Sequence, residues 1–232
     1  ISHPNIIRTW DYGEVDGFHY LALEWAAGEP LASFLAGSGR LAPALVAKII
    51  EDLGNALEVA HKAGIIHRDL KPANLMYDPA TQTARLLDFG IARDADDLPE
   101  ERLTRAGFFV GTLQYVAPES LSGELVGEQA DIYSLATIAY NLLTDTLPFP
   151  GSSPRELFQQ LLTQDPVPLN QAVKGARFSA ELDAVVMKGL QRDLSKRYKT
   201  VRQFTDEFCQ AAQQDKPKKE GFFSTLFRRG EG

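Results

Sequence analysis

Apolar residues recur at helical spacing through PALVAKIIEDLGNALEVAHKA (43–63), where Val46, Ile49, Ile50, Leu53, Leu57 and Ala60 fall on one face and Gly64 ends the run. The spacing predicts a long amphipathic helix. A different pattern precedes it. IIRTWDYG and FHYLALEW, on either side of EVDG, are rich in aromatic and β-branched residues, which predicts two strands and a turn within 6–24. Beyond Pro30 the chain reads as mainly helical, with helices expected at about 117–122, 128–144, 154–163, 180–190 and 200–213, most of them separated by proline or glycine. Short strands are expected at LMY and ARLLDF, around a PATQT turn and next to a loop at 66–74. Residues 88–116 have no clear period and read as a long loop of the kind that carries function. A small β part thus precedes a larger helical body.

Composition narrows the class without naming an activity. With 232 residues, 44% hydrophobic and 24% charged, the chain suits one large domain or two small lobes. A net charge of −7 argues against nucleic acid as a partner. From Lys216 onward five Lys/Arg face only Glu220 and Glu231, a tail of +3 that leaves −10 on residues 1–215. Cys209, the single cysteine, excludes an internal disulfide framework and fits a reducing, cytoplasmic setting. The longest apolar run, IYSLATIAYNLL (132–143), falls short of the ~18–20 residues of a membrane span. The chain starts at Ile1 in mid-pattern, so it is expected to be part of something longer. Its basic, Phe-rich end admits three readings: a flexible linker, a segment (216–229) touching anionic lipid, or a stretch before a membrane anchor.

The chemistry sits in IIHRDLKPANLM (65–76) and in the DFG that follows at 88–90. Phosphoryl transfer is mostly positioning and charge neutralisation. It needs a carboxylate to take the proton of an attacking hydroxyl, a cation near the moving phosphate, and hard oxygen ligands for Mg²⁺. Asp69, Lys71, Asn74 and Asp88 supply those groups in turn. The remaining histidines, His3, His19 and His61, show no metal spacing, and a zinc site is not expected.

His67-Arg68-Asp69-x₄-Asn74, then Asp88-Phe89-Gly90, then Ala117-Pro118-Glu119 resemble the protein-kinase signature set, in order and over nearly the whole chain to about residue 213. The resemblance implies an α+β, protein-kinase-like fold: a mostly helical C-lobe with only the last two strands of the small N-lobe. It divides the chain into 1–24 (remnant of the N-lobe), 25–29 (hinge), 30–213 (C-lobe) and 214–232 (basic linker or tail). It implies ATP with Mg²⁺, or Mn²⁺ in its stead, as cofactors and protein Ser/Thr hydroxyls as substrates. Leu23 then stands at the gatekeeper position, the Glu24 carbonyl and Ala26 amide meet adenine, and Met76 floors it. Asn74 and Asp88 are the implied metal ligands, while His67, Phe89 and Gly90 shape the loops. Asp131 would hold the catalytic-loop backbone, and Arg197 would pair with Glu119. Lys71 with Pro72, and Thr112 in GTLQYVAPE, look like the Ser/Thr type, in its bacterial, eukaryotic-like (Hanks-type) wording. Thr104, the one hydroxyl between Gly90 and Gly111, is the expected phosphosite, with Arg68 pairing its phosphate.

Three kinase parts are not in these residues: a Gly-rich strand-turn-strand, a lysine on the following strand, and the glutamate that pairs with it. The first lysine is Lys48, inside the long helix, and the GSG at 37–39 follows a helical turn rather than a strand. On this reading the chain is N-terminally truncated, inactive by itself, and exposes a face those parts would cover. The rival reading is a pseudokinase that docks partners without catalysis; small-molecule phosphotransfer fits the GT…APE segment less well.

Overall fold

The fold is taken from a computed structural model, which describes residues 1–87, 113–121 and 126–215. Asp88, Phe89, Gly90, Thr104, Thr112 and the basic tail from Lys216 lie outside the described residues.

Strands β1 (Thr9–Val15) and β2 (Phe18–Leu23) form an antiparallel hairpin. Its turn is the tight Asp16–Gly17 pair, both at positive φ (53° and 79°), with Val15 facing Phe18. Asp-Gly suits such a two-residue loop because both central residues must adopt left-handed angles. The turn is therefore shorter than the expected EVDG, and Glu14 and Val15 belong to β1. Ile6 and Ile7 do not join that strand. Ile6 bridges Leu86 in parallel, with the Ile7 amide on the Leu86 carbonyl at 2.8 Å and the Leu86 amide on the Asn5 carbonyl at 2.8 Å.

A second antiparallel sheet has the order β3 (Glu29–Pro30), β4 (Leu75–Asp78), β5 (Thr83–Leu86). Gly28, just before β3, has φ 90°, and a Cβ there would lie 2.1 Å from the Tyr77 carbonyl oxygen. Only glycine lets the chain approach β4 this closely.

The helical body comprises α1 (Leu31–Ser38), α2 (Pro43–Lys62), α3 (Glu128–Thr144), α4 (Pro154–Thr163), the short α5 (Leu169–Ala172), α6 (Ala180–Gly189) and α7 (Val201–Gln214). All six residues predicted for the inner face of α2 have no exposed surface. α3 is buried nearly all round, as expected of a helix with apolar residues on every side. Its buried serine and threonine hydroxyls are satisfied within the helix or next to it: Thr137 donates to the Tyr133 carbonyl (3.0 Å), Thr144 to that of Tyr140 (2.7 Å), and Ser134 to that of Tyr115 (2.7 Å). α4, α6 and α7 start where Ser153, Ser179 and Thr200 accept the amides of Glu156, Leu182 and Gln203. The 117–122 segment is a turn of 3-10 helix over Pro118–Leu121. No helix among the described residues is long and apolar enough to cross a membrane.

The hairpin contrasts with this body. Phe18 is 79% exposed, Tyr12 71% and Trp10 60%, and Trp25 beyond β2 is 92% exposed.

Candidate active site

Residues 65–74 run between α2 and β4, and two backbone bonds to one carboxylate hold them, with a third tying that carboxylate to α2. Asp131, in the first turn of α3 and 1% exposed, accepts the His67 amide at Oδ2 (2.8 Å), the Arg68 amide at Oδ1 (2.9 Å) and the His61 ring Nε2 at Oδ2 (2.8 Å). Arg68 has φ 63°, a conformation that costs a residue with a Cβ roughly 1–2 kcal/mol and so needs outside support. The Asp131 clamp supplies it. The Arg68 side chain is exposed.

His67 is buried, and its ring joins two parts of the site. Nδ1 accepts the Asp69 amide (3.3 Å), which leaves Nε2 as the donor to the Leu87 carbonyl (3.3 Å). The loop is thereby tied to the end of the strand that leads into the DFG. A second tie runs from the Leu87 amide to the Asn74 carbonyl (2.9 Å).

Asp69, Lys71 and Asn74 converge. Lys71 Nζ stands 3.1 Å from Asp69 Oδ2. Asn74 Nδ2 donates to the same oxygen (3.1 Å) and to the Asp69 carbonyl (2.9 Å). A turn of 3-10 helix over Pro72–Asn74 sets this geometry: Pro72 opens it and the Asn74 amide closes on the Lys71 carbonyl (2.9 Å).

Leu23 ends β2 opposite Thr9, and the Glu24 amide bonds the Arg8 carbonyl at 2.8 Å. The Glu24 carboxylate takes Arg85 Nη2 at 2.8 Å and the Arg8 amide at 3.2 Å, contacts that hold its pKa below the usual value, Arg85 contributing most. Ala26 lies in the short link to β3, whose Pro30 pairs with Met76 on β4. The two elements named for adenine contact thus meet at β3–β4.

Below the loop, Arg197 (2% exposed) forms a two-point pair with Glu119 (8% exposed): Nη1 to Oε1 at 2.6 Å and Nη2 to Oε2 at 3.1 Å. Its Nε and Nη1 also donate to the carbonyls of Gln191 (2.7 Å) and Gln129 (2.8 Å). Burial pushes the phenol of Tyr133, whose ring lies 5.0 Å from the Arg197 guanidinium, well above its ordinary pKa; elsewhere burial pushes that of Tyr115 up to about 12. Both stay neutral hydroxyls at any physiological pH.

A family model described as "Protein kinase domain" matches residues 1–211. The chain belongs to the protein kinase domain family. Serine/threonine-protein kinase PknB of Mycobacterium leprae is 37% identical over 205 residues, which cover 87% of this chain and 32% of that protein. Serine/threonine-protein kinase pkn3 of Myxococcus xanthus is 34% identical over 212 residues, covering 89% and 39%. The chain spans about a third of the length of these curated relatives. Among solved structures, the crystal structure of Rad53 1-466 in complex with AMP-PNP superposes with a TM-score of 0.74 at 28% identity, over 90% of this chain and 51% of that one. The chain is thus similar in sequence to bacterial Ser/Thr kinases of the Hanks type, and it has the α+β kinase-like fold.

The histidine passed over in the sequence, His61, turns out to be a partner of the kinase domain's Asp131. It follows Leu57 by four residues on the apolar face of α2, and a polar residue on that stripe was the available signal. Arg85 and Glu128, which also touch this machinery, carried no signal of their own.

Proposed function

We propose that the protein transfers the γ-phosphoryl group of ATP to serine and threonine hydroxyls of proteins. The observation that carries this reading is the convergence of Lys71 and Asn74 on a single oxygen of Asp69, with the loop backbone clamped to Asp131 immediately before it. Asp69 orients the attacking hydroxyl and takes its proton as the oxygen bonds to the γ-phosphorus and the bond from that phosphorus to the bridging oxygen breaks, releasing ADP. Lys71 lies within reach of both that carboxylate and a transferring phosphate, whose developing charge it offsets. The Asn74 amide nitrogen is engaged by Asp69, so its Oδ1 is the atom left to meet a cation. Asn74 and the Asp88 carboxylate would supply hard oxygen donors suited to Mg²⁺ or Mn²⁺, which would neutralise charge on the nucleotide phosphates.

ATP would lie between the small and large lobes, at 1–24 and 30–213, its adenine on the Glu24 carbonyl and Ala26 amide of the 25–29 hinge and flanked by Leu23 and Met76. Thr112 would hydrogen-bond Asp69 and Lys71, and Phe89-Gly90 would set the angle of Asp88. Phosphate on Thr104 would order the loop through the exposed Arg68. ATP and reduced Cys209 suit a cytoplasmic catalytic domain, with 214–232 as a linker. Among the described residues no strand carries a lysine or leads into a Gly-rich phosphate cover, so weak ATP binding is expected of these 232 residues by themselves.

The test incubates the full-length gene product with Mg-ATP and reads Thr104 by mass spectrometry, beside an Asp69→Asn version and the 232-residue chain. Phosphate in the wild type alone supports an autophosphorylating kinase. No phosphate on any residue or on generic protein substrates turns the reading to a protein-binding pseudokinase.

A further inference from the structure

We infer that Glu128 is a positioning residue of the catalytic loop, acting through the His61 ring that it and Asp131 hold from opposite nitrogens. This rests on the reading of residues 67–74 as the catalytic loop.

His61 lies in the last turn of α2 and is 7% exposed. Nε2 meets Asp131 Oδ2 at 2.8 Å, while Nδ1, buried and without a hydrogen-bond partner among the described residues, faces Glu128 Oε2 at 3.6 Å. Glu128 and Asp131 are three residues apart in the first turn of α3 and so share a face. They are the carboxylates within 4.0 Å of the ring among the described residues. On α2 the adjacent Lys62 turns instead to Glu58 (2.8 Å), and the His67 ring is taken up by Leu87 and Asp69.

The order of contacts matters. Asp131 Oδ2 serves both His61 and the His67 amide, so a rotation of the imidazole shifts the oxygen that fixes the loop. Glu128 restrains that rotation from the far nitrogen. Its side chain is 39% exposed, so solvent and salt reach this end of the chain of contacts. The catalytic loop thereby gains a tuning point on the surface.

An acidic residue in a first helical turn also favours the helix dipole, and that alone would explain Glu128. The two roles separate experimentally. In the full-length gene product, the His61 ring is followed by ¹⁵N–¹H correlation, the His67 and Arg68 amides by hydrogen exchange, and kcat and KM are measured with a protein substrate. The expected result for Glu128→Gln is a ring whose ¹⁵N–¹H signals shift and broaden, because its outer restraint has been removed. The two amides should exchange about two- to fivefold faster, and kcat should fall by a similar factor with KM for ATP unchanged. Glu128→Asp should recover most of both. A Glu128→Gln protein with lower thermal stability but unaltered ring behaviour, amide exchange and kcat profile overturns the proposal in favour of the dipole role. His61→Gln should match the kcat loss; should that variant not fold, Glu128→Gln decides alone, since its side chain is at the surface. If the wild type phosphorylates nothing, the kinase reading fails, while ring behaviour and amide exchange still judge Glu128.

Discussion

Two ion pairs, Arg197–Glu119 and Lys71–Asp69, look alike in distance and differ in everything else. The first is sealed: its side chains are 0% and 8% exposed, and three guanidinium nitrogens are all engaged. The second is half open, at 22% and 16%, at the end of a loop, with Asn74 sharing the same carboxylate oxygen. A buried pair with no hydrogen-bonding capacity to spare can only hold things together, because opening it strands a charge in a medium that cannot solvate it. A half-solvated pair can exchange partners at little cost, and a catalytic carboxylate must do so when substrate arrives. The difference teaches that burial, rather than distance, separates a structural contact from a working one.

The comparison can be broken from either side. Arg197→Ala should produce the largest effect, a loss of about 3–5 kcal/mol in unfolding free energy read by circular dichroism, because Glu119 is left charged and unpaired. A loss below about 1 kcal/mol would show the pair to be no more than a surface contact. Asp69→Asn should do the reverse: phosphotransfer by the full-length protein falls roughly 10²–10⁴-fold, while the melting temperature stays within error. Stability lost in step with activity would place Asp69 with the structural pair.

Smaller effects sharpen the contrast between sealed and solvated contacts. A Cβ at Gly54 of α2 would lie 2.2 Å from Thr205 Oγ1 of α7, so Gly54→Ala should destabilise by about 1–3 kcal/mol through overpacking. A gain in stability would mean that this helix contact is looser than its geometry. Glu24 gives the smallest effect and a pH signature. Its folded pKa is depressed by Arg85 and the Arg8 amide, so its stabilisation is present above the ordinary carboxylate value of 4.5 and fades as pH falls through the lower folded value. Melting curves of wild type and Glu24→Gln should therefore differ at neutral pH and converge in acid. Curves that stay parallel would remove Glu24 from the contacts linking hinge and sheet.

The parts of this architecture that could be read in advance are those whose cause is local. The α2 face was set by spacing within twenty residues, α3 holds the longest apolar run (132–143), and Asp69, Lys71 and Asn74 lie within a single motif. The hairpin turn was misplaced because β1 and β2 both expose their apolar side chains, so alternation had no buried face to mark. Ile6 and Ile7 looked like the start of β1, yet they pair with Leu86, eighty residues on. The partner of His61 is likewise seventy residues away. Short helices such as Leu169–Ala172 carry too few residues for a period to register. What stayed hidden was long-range.

Both tryptophans of the chain, Trp10 and Trp25, stand at the exposed hairpin and at the link that follows it. The helical body contributes no indole. Light that excites tryptophan alone therefore sees only this corner of the molecule, and in a strongly solvated, red-shifted state. Emission from Trp25 would respond to a nucleotide arriving beside it, and emission from Trp10 to anything that covered the hairpin. The same signal would stay nearly silent while the core around α3 came apart.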